Sequence, residues 1–150
     1  MPPIYADTDI TTATIVSVGA LDVPPSVVWR AFAEKDVLEQ WYGPSDEPAQ
    51  FESHELRART RSLYRVLDHE GVERLGYLQF TAVEPERRLI FTDGTRDEAG
   101  RFGPEFLHAV VELEPAGSGT RMFVTQSFAD RNDMEQLMLG QLEAVVSALS

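Results

Sequence analysis

The sequence predicts an α+β fold, a curved and mainly antiparallel sheet whose hollow face is closed by a long amphipathic C-terminal helix. Three observations carry this. Residues 51–128 show period-two alternation in successive short segments separated by turn residues. No helix of crossover length alternates with those segments, which excludes a parallel βαβ arrangement. The last segment returns to a helical period, with Met134, Leu137, Met138, Leu142, Val145, Val146 and Leu149 on one stripe. That stripe must be buried, and the concave face of the sheet is the available partner.

The elements follow in order. Residues 1–9, with two prolines and two aspartates, read as a flexible tail. Ile10–Leu21 is rich in Thr, Val and Ile and reads as a strand that Val23-Pro24-Pro25 stops. Ser26 is placed to cap a short helix over 27–33, with Val28, Trp29 and Phe32 apolar. A second short helix fits 34–41 and ends at Gly43-Pro44. Strands are then expected over 51–57, 61–68, 72–83, 87–93, 105–114 and 120–128. His69-Glu70-Gly71 and Pro115–Gly119 supply tight turns, and 94–104, with three glycines and a proline, reads as a mobile loop. Asp130 or Asn132 can cap the final helix.

A chain of 150 residues without repeat or linker reads as one domain, 1–150. The net charge of −12 argues against nucleic acid and against anionic membrane surfaces. There is no cysteine, so disulfides, thiolate nucleophiles and Cys-held metal centres are excluded. The N-terminus has neither a basic start nor an apolar core of signal-peptide type, and no apolar run approaches about 20 residues. A cytoplasmic location is the expectation.

Several motifs in order resemble a known family. DVPPSVVWRAF (22–32) followed by WYGP (41–44) is similar to the opening of the bacterial Hsp90-ATPase-activator-homologue family. VEPERRLIFT (83–92) resembles its strand–turn–strand element, and LEPAGSGTRMFVTQS (113–127) its late hairpin. That family belongs to the helix-grip superfamily of START-like, polyketide-cyclase and plant-allergen-like proteins. The resemblance implies a sheet gripping the terminal helix, with a cavity between them. No cofactor is expected. The chain departs from the pattern at Arg59-Thr60, where relatives often carry Gly-Gly. It departs again at Leu137-Met138, in place of Gly-Trp, and at Gln126, in place of histidine.

Aligned by their turns, the strands direct Tyr64, Val66, Phe80, Phe91, Val111, Leu113, Met122, Val124 and Gln126 inward, with Met134 and Met138 facing them from the helix. These residues either line a ligand cavity or pack a dry core. His54, His69 and His108 have no spacing of metal-ligand type. His69 falls in a turn, while His54 and His108 lie on strands of undetermined facing, as solvated groups or as pocket acids or bases. No nucleophile elbow, P-loop or dinucleotide fingerprint occurs. Arg57, Arg59 and Arg61 form a basic ladder, with Arg65 beyond, suited either to gripping an anion or to cross-strand pairing. Trp41 and Tyr42 read as core anchors, and 94–104 as a lid or a plain connection.

Three functions compete at this level. The first is binding of a small hydrophobic or amphipathic molecule between sheet and helix. The second is an enzyme of cyclase, dehydratase or hydrolase type, for which the mark would be a buried ionisable cluster in the cavity. The third, implied by the family resemblance, is regulation of an Hsp90-type chaperone ATPase. The resemblance also implies a homodimer, for which no sequence feature marks a surface.

Overall fold

A computed structural model describes residues 4–9, 13–43, 47–130 and 138–149. Among these described residues the backbone forms one eight-stranded sheet, antiparallel at every pairing, and three helices. The strands are β1 (Ile4–Asp9), β2 (Thr14–Leu21), β3 (Ala49–Ser53), β4 (Arg61–Leu67), β5 (Glu73–Glu84), β6 (Arg88–Arg96), β7 (Phe102–Ala116) and β8 (Gly119–Phe128). The helices are α1 (Pro25–Ala33), α2 (Lys35–Trp41) and α3 (Met138–Leu149). The strand order is β1-β2-β8-β7-β6-β5-β4-β3. Consecutive strands from β3 to β8 are neighbours, as short connections dictate. Bulges at Phe51/Ser53, Phe80/Ala82 and on either side of Gly94 bend the sheet.

The two short helices take the place the sequence assigns them, with a different start. Pro25 opens α1 and Pro24 is its N-cap, without a side-chain cap; Ser26 lies inside the helix. Proline at the first helical position needs no partner for an N–H and arrives with a helical φ, so the PP pair both stops β2 and starts α1. Val28, Ala31 and Phe32 fall at i, i+3 and i+4 and are buried, as are Val37, Leu38 and Trp41 on α2. Trp29 is only partly buried. Trp41 donates its indole N–H to the Ala31 carbonyl at 2.9 Å, tying the second helix to the first.

Alternation then builds the core. Residues of even number in β4 and β8 and of odd number in β7 point inward, and all nine strand residues expected on that face are buried. They join residues of α1 and α2 and Leu142 and Val146 of α3 in one cluster, except Gln126, which is buried as a polar group. Each such apolar side chain contributes about 1.5–3 kcal/mol relative to exposure. The closing helix packs on α1, α2 and β2. Its expected first turns, and Met134 with them, lie outside the described residues, as does the side chain of Met138.

Three expectations are corrected. Ile4–Asp9 is not a tail but an edge strand paired with β2. The edge of β2 would otherwise present unpaired backbone groups, and an extended segment four residues upstream can reach it. Residues 94–104 are not one long loop, because β6 runs to Arg96 and β7 begins at Phe102. Gly94 and Gly103 lie in strands because side chains cross over them. A Cβ on Gly94 would meet the Tyr77 ring at 2.6 Å, and one on Gly103 the Thr95 hydroxyl at 2.6 Å. The remaining turn, 97–101, is held by Asp97, which accepts from the Arg101 backbone N–H and guanidinium. Finally, Arg57 and Arg59 stand in a turn before β4, so the basic ladder is not a strand face.

Candidate functional site

The inward alternation of β6 continues from Leu89 through Phe91 to Asp93, so a carboxylate arrives on the apolar face of the sheet. It is 1% exposed. Two phenols meet it. Tyr42, the residue that ends α2, donates its hydroxyl to Oδ2 at 2.6 Å. Tyr64, from β4, donates to Oδ1 at 2.5 Å. The backbone N–H of Gly94 adds a further bond to the carboxylate. Burial nevertheless dominates and pushes the Asp93 carboxyl up to about 7, against the pull of these three donors. Burial and the adjacent carboxylate push both phenols well above the usual tyrosine range.

The positions of the two tyrosines are fixed by their surroundings. The Tyr64 ring lies directly over Gly76 of β5, where a Cβ would stand 2.3 Å from its Cζ. Glycine is required there by close approach, not by backbone conformation. On the strand's backbone side, Arg96 donates to the carbonyls of Gly76 (2.9 Å) and Tyr64 (3.0 Å) and to Glu52 (3.1 Å). This holds β4, β5 and β6 in register beneath the site. Tyr42 sits edge-on to Trp41, Phe51 and Tyr64 at centroid distances of 5.6, 6.1 and 6.1 Å.

Beside Tyr42 lies an apolar cavity of ≈ 10 Å³, bounded by Phe32, Leu38, Trp41, His54, Leu78, Phe80, Leu89 and Phe91. That is room for about one water molecule. The polar atoms of its wall are already engaged. His54 bonds through Nδ1 to the buried Ser62 hydroxyl (2.8 Å) and through Nε2 to the Phe32 carbonyl (2.7 Å). A neutral imidazole that donates to a carbonyl through Nε2 accepts at Nδ1, so neutral His54 accepts a hydrogen bond from the Ser62 hydroxyl. Burial holds its pKa below the ordinary histidine value, against the opposing pull of the Phe32 carbonyl. A larger depression of ≈ 990 Å³ lies open on the outer face of the sheet, among Glu84, Glu86, Arg87, Arg88, Glu112 and Glu114. It holds no buried polar cluster comparable to Asp93.

The sequence-predicted residues divide around this site. Phe80 and Phe91 border the cavity, and Tyr64 belongs to the carboxylate cluster. Val66, Val111, Leu113, Met122 and Val124 are packed core, away from the cavity wall. Tyr42, read as an anchor, reaches the carboxylate instead. Asp93 escaped the sequence reading, which placed it where β6 was taken to end. Its signal was the period-two step from Leu89 and Phe91. His69 is exposed and pairs with Glu47 at 3.1 Å, while His108 is exposed on β7. Among the described residues no helix is long and apolar enough to cross a membrane.

Comparisons with known proteins agree with this fold. A protein from Arthrobacter aurescens, solved by NMR in solution, matches at a TM-score of 0.80 with 30% identity over 96% of this chain and 91% of its own. Protein Ms6760 from Mycobacterium smegmatis matches at 0.76 with 25% identity over 98% and 96%. Protein CV1439 from Chromobacterium violaceum, at 0.73 with 22% identity over 89% and 96%, shares the fold. No curated protein matches the chain. The model of the family described as Activator of Hsp90 ATPase homolog 1-like protein matches residues 22–149, and the chain belongs to that family.

Proposed function

We propose that the chain binds a small hydrophobic or amphipathic molecule in the interior between the sheet and its helices, with the ligand's polar group directed to Asp93, Tyr42 and Tyr64. The observation that carries this is the buried Asp93 carboxyl bridged by two phenols, one of which, Tyr42, lines an apolar cavity. A carboxyl in an apolar core is costly, and a packed core would be better served by an apolar residue. Apolar walls with a few placed polar groups are what small-molecule sites require. The fold is also that of a family of ligand-binding domains.

On this reading the cavity expands on binding. Phe32, Leu38 and Trp41 form its helical wall, so α1 and α2 are the elements that move. The test is thermal unfolding with p-cresol, an apolar ring carrying one hydroxyl, beside toluene, which lacks it. Both are expected to raise the melting temperature, p-cresol more, with its advantage lost in Tyr42→Phe. No shift with either probe refutes the reading.

A second reading is favoured by Asp93 alone. A carboxyl that changes protonation near neutral pH suits proton-transfer chemistry on a small organic compound. Asp93 would carry the proton, with Tyr42 and Tyr64 positioning it. Turnover lost in Asp93→Asn while probe binding persists would distinguish this from simple binding.

A further inference from the structure

Every side-chain donor at the Asp93 carboxylate and around the neighbouring cavity is committed within the fold. Tyr42 and Tyr64 give their hydroxyl protons to Asp93 at 2.6 and 2.5 Å. Trp41 gives its indole N–H to the Ala31 carbonyl at 2.9 Å. His54 donates from Nε2 to the Phe32 carbonyl at 2.7 Å, and the buried Ser62 hydroxyl donates to its Nδ1 at 2.8 Å. Among the described residues of this site, a guest that must accept a hydrogen bond finds no side-chain donor free. That disfavours a carbonyl, a carboxylate or a phosphate.

Acceptors are in the opposite position. A carboxylate has about four lone-pair sites, and three donors reach Asp93: the two phenols and the Gly94 N–H. None of the three is charged. Among the described residues no cation pairs with Asp93. Arg96, on the same strand, is spent on Glu52 and two backbone carbonyls, and Arg74 on Glu47. A buried carboxylate without a counter-charge is costly, and a cation bearing N–H groups is the guest that relieves it. The surroundings suit such a guest. The rings of Tyr42 and Tyr64 stand 6.1 Å apart, with Phe51 5.4 Å from Tyr64 and Phe91 6.4 Å from Tyr42. Aromatic rings attract ammonium groups. The net charge of −12 also draws cations toward the molecule and repels anions.

We infer that the guest of this interior is a primary amine in its ammonium form, carried on an apolar ring or chain, with Asp93 as its counter-ion. This rests on the ligand-binding reading above and narrows it to one chemical class. The ammonium donates to the remaining lone pairs of Asp93, and the apolar body occupies the cavity beside Tyr42.

Binding is then linked to pH through Asp93, whose carboxyl sits at about 7. The titratable groups around it are few among the described residues. Tyr42 from α2 and Tyr64 from β4 are held well above the usual tyrosine range, and Tyr77 of β5 is raised as well, so none of the three titrates near neutrality. Arg74 and Arg96 act on Tyr64 from further away and keep their charge. His54, on the cavity wall, is held below the ordinary histidine value.

The test uses the full chain and three probes of one shape, p-methylbenzylamine, p-methylbenzyl alcohol and p-toluate, followed by titration calorimetry. At about pH 8 the amine is expected to bind at least about tenfold more tightly than the alcohol, and p-toluate not to bind. Between about pH 8 and pH 6 Asp93 takes up a proton and the ammonium loses its counter-ion, so the amine is expected to weaken about tenfold. The alcohol is expected to change far less, which controls for His54. Asp93→Asn is expected to erase the amine's advantage over the alcohol; should that variant not fold, the pH dependence of the parent decides. Equal binding of amine and alcohol at pH 8, or preference for p-toluate, overturns the inference while leaving a ligand-binding interior in place. An amine affinity unchanged between pH 8 and pH 6, or unchanged in Asp93→Asn, overturns it by placing the ammonium elsewhere. Binding of none of the three overturns both the inference and the reading beneath it.

Discussion

The hydroxyl of Tyr64 donates to Oδ1 of Asp93 at 2.5 Å, joining two inward positions on strands that are not neighbours in the sheet. Between them runs β5, and the ring spans it only because residue 76 is glycine. A β4 side chain, a β5 vacancy and a β6 carboxylate therefore form one unit, and Tyr42 completes it from the end of α2.

Removing either phenol should have a pH-dependent effect. Both hydroxyls stabilise the ionised carboxylate, so Tyr64→Phe raises the Asp93 pKa further above about 7. The destabilisation is expected at about 2–3 kcal/mol above pH 8, where Asp93 is charged, and about 1 kcal/mol at pH 5, where it is neutral. Urea unfolding of parent and variant at the two pH values measures the difference. Equal losses at both would mean that the phenol does not contact the charge.

Asp93 itself should shape the pH dependence of stability. Its pKa is about 7 in the fold and near the ordinary carboxyl value when unfolded. Between those values the folded state holds the extra proton, so stability falls as pH rises from about 4 to about 7 and is level above. A shift of this size corresponds to something on the order of 4 kcal/mol. Asp93→Asn is expected to remove that slope and to be at least as stable as the parent at pH 8. A parent profile matching the variant's would contradict the burial assigned to Asp93.

His54 acts with the opposite sign. Its pKa is held below the ordinary value, so the unfolded state binds the proton first as pH falls. The His54 contribution is present above about pH 6.5 and declines below it. ¹⁵N spectra of the imidazole should show a neutral ring with the proton on Nε2 at pH 7 and a titration midpoint below 6.5. A proton on Nδ1 would mean that the Phe32 carbonyl is not its acceptor.

Gly76→Ala should reproduce the loss of Tyr64 by sterics alone. The added Cβ overlaps the ring, so either the ring leaves Asp93 or the strands separate. The expected destabilisation is about 2–4 kcal/mol, and combining it with Tyr64→Phe should add less than the sum of the two. Full additivity in denaturant unfolding would place the two residues in separate environments.

Much of this architecture was legible from periodicity. The inward set from Tyr64 to Gln126 follows from alternation counted between turns, and the helix pair follows from the VPP stop and Gly43. Glycine misled where it marked crowding. Gly94 and Gly103 suggested a loop, yet each lies in a strand beneath a neighbour's side chain, a contact that no local pattern records. That misreading placed Asp93 where β6 seemed to end and concealed the carboxylate. The mate of Asp93 on α2 is 51 residues away and was beyond any local signal. Arg59 and Arg57 alternate correctly for a strand, but the backbone turns there and ties Arg59 to Phe80.

The central claim is that the interior beside Asp93 accepts a ligand, and methyl NMR reads it most directly. The chain, ¹³C-labelled at leucine and valine methyls, is titrated with p-cresol. The account predicts saturable shifts concentrated at Leu38, Leu78 and Leu89, the leucines of the cavity wall. Shifts absent at millimolar probe, or confined to the exposed Leu67 and Val72, would contradict it.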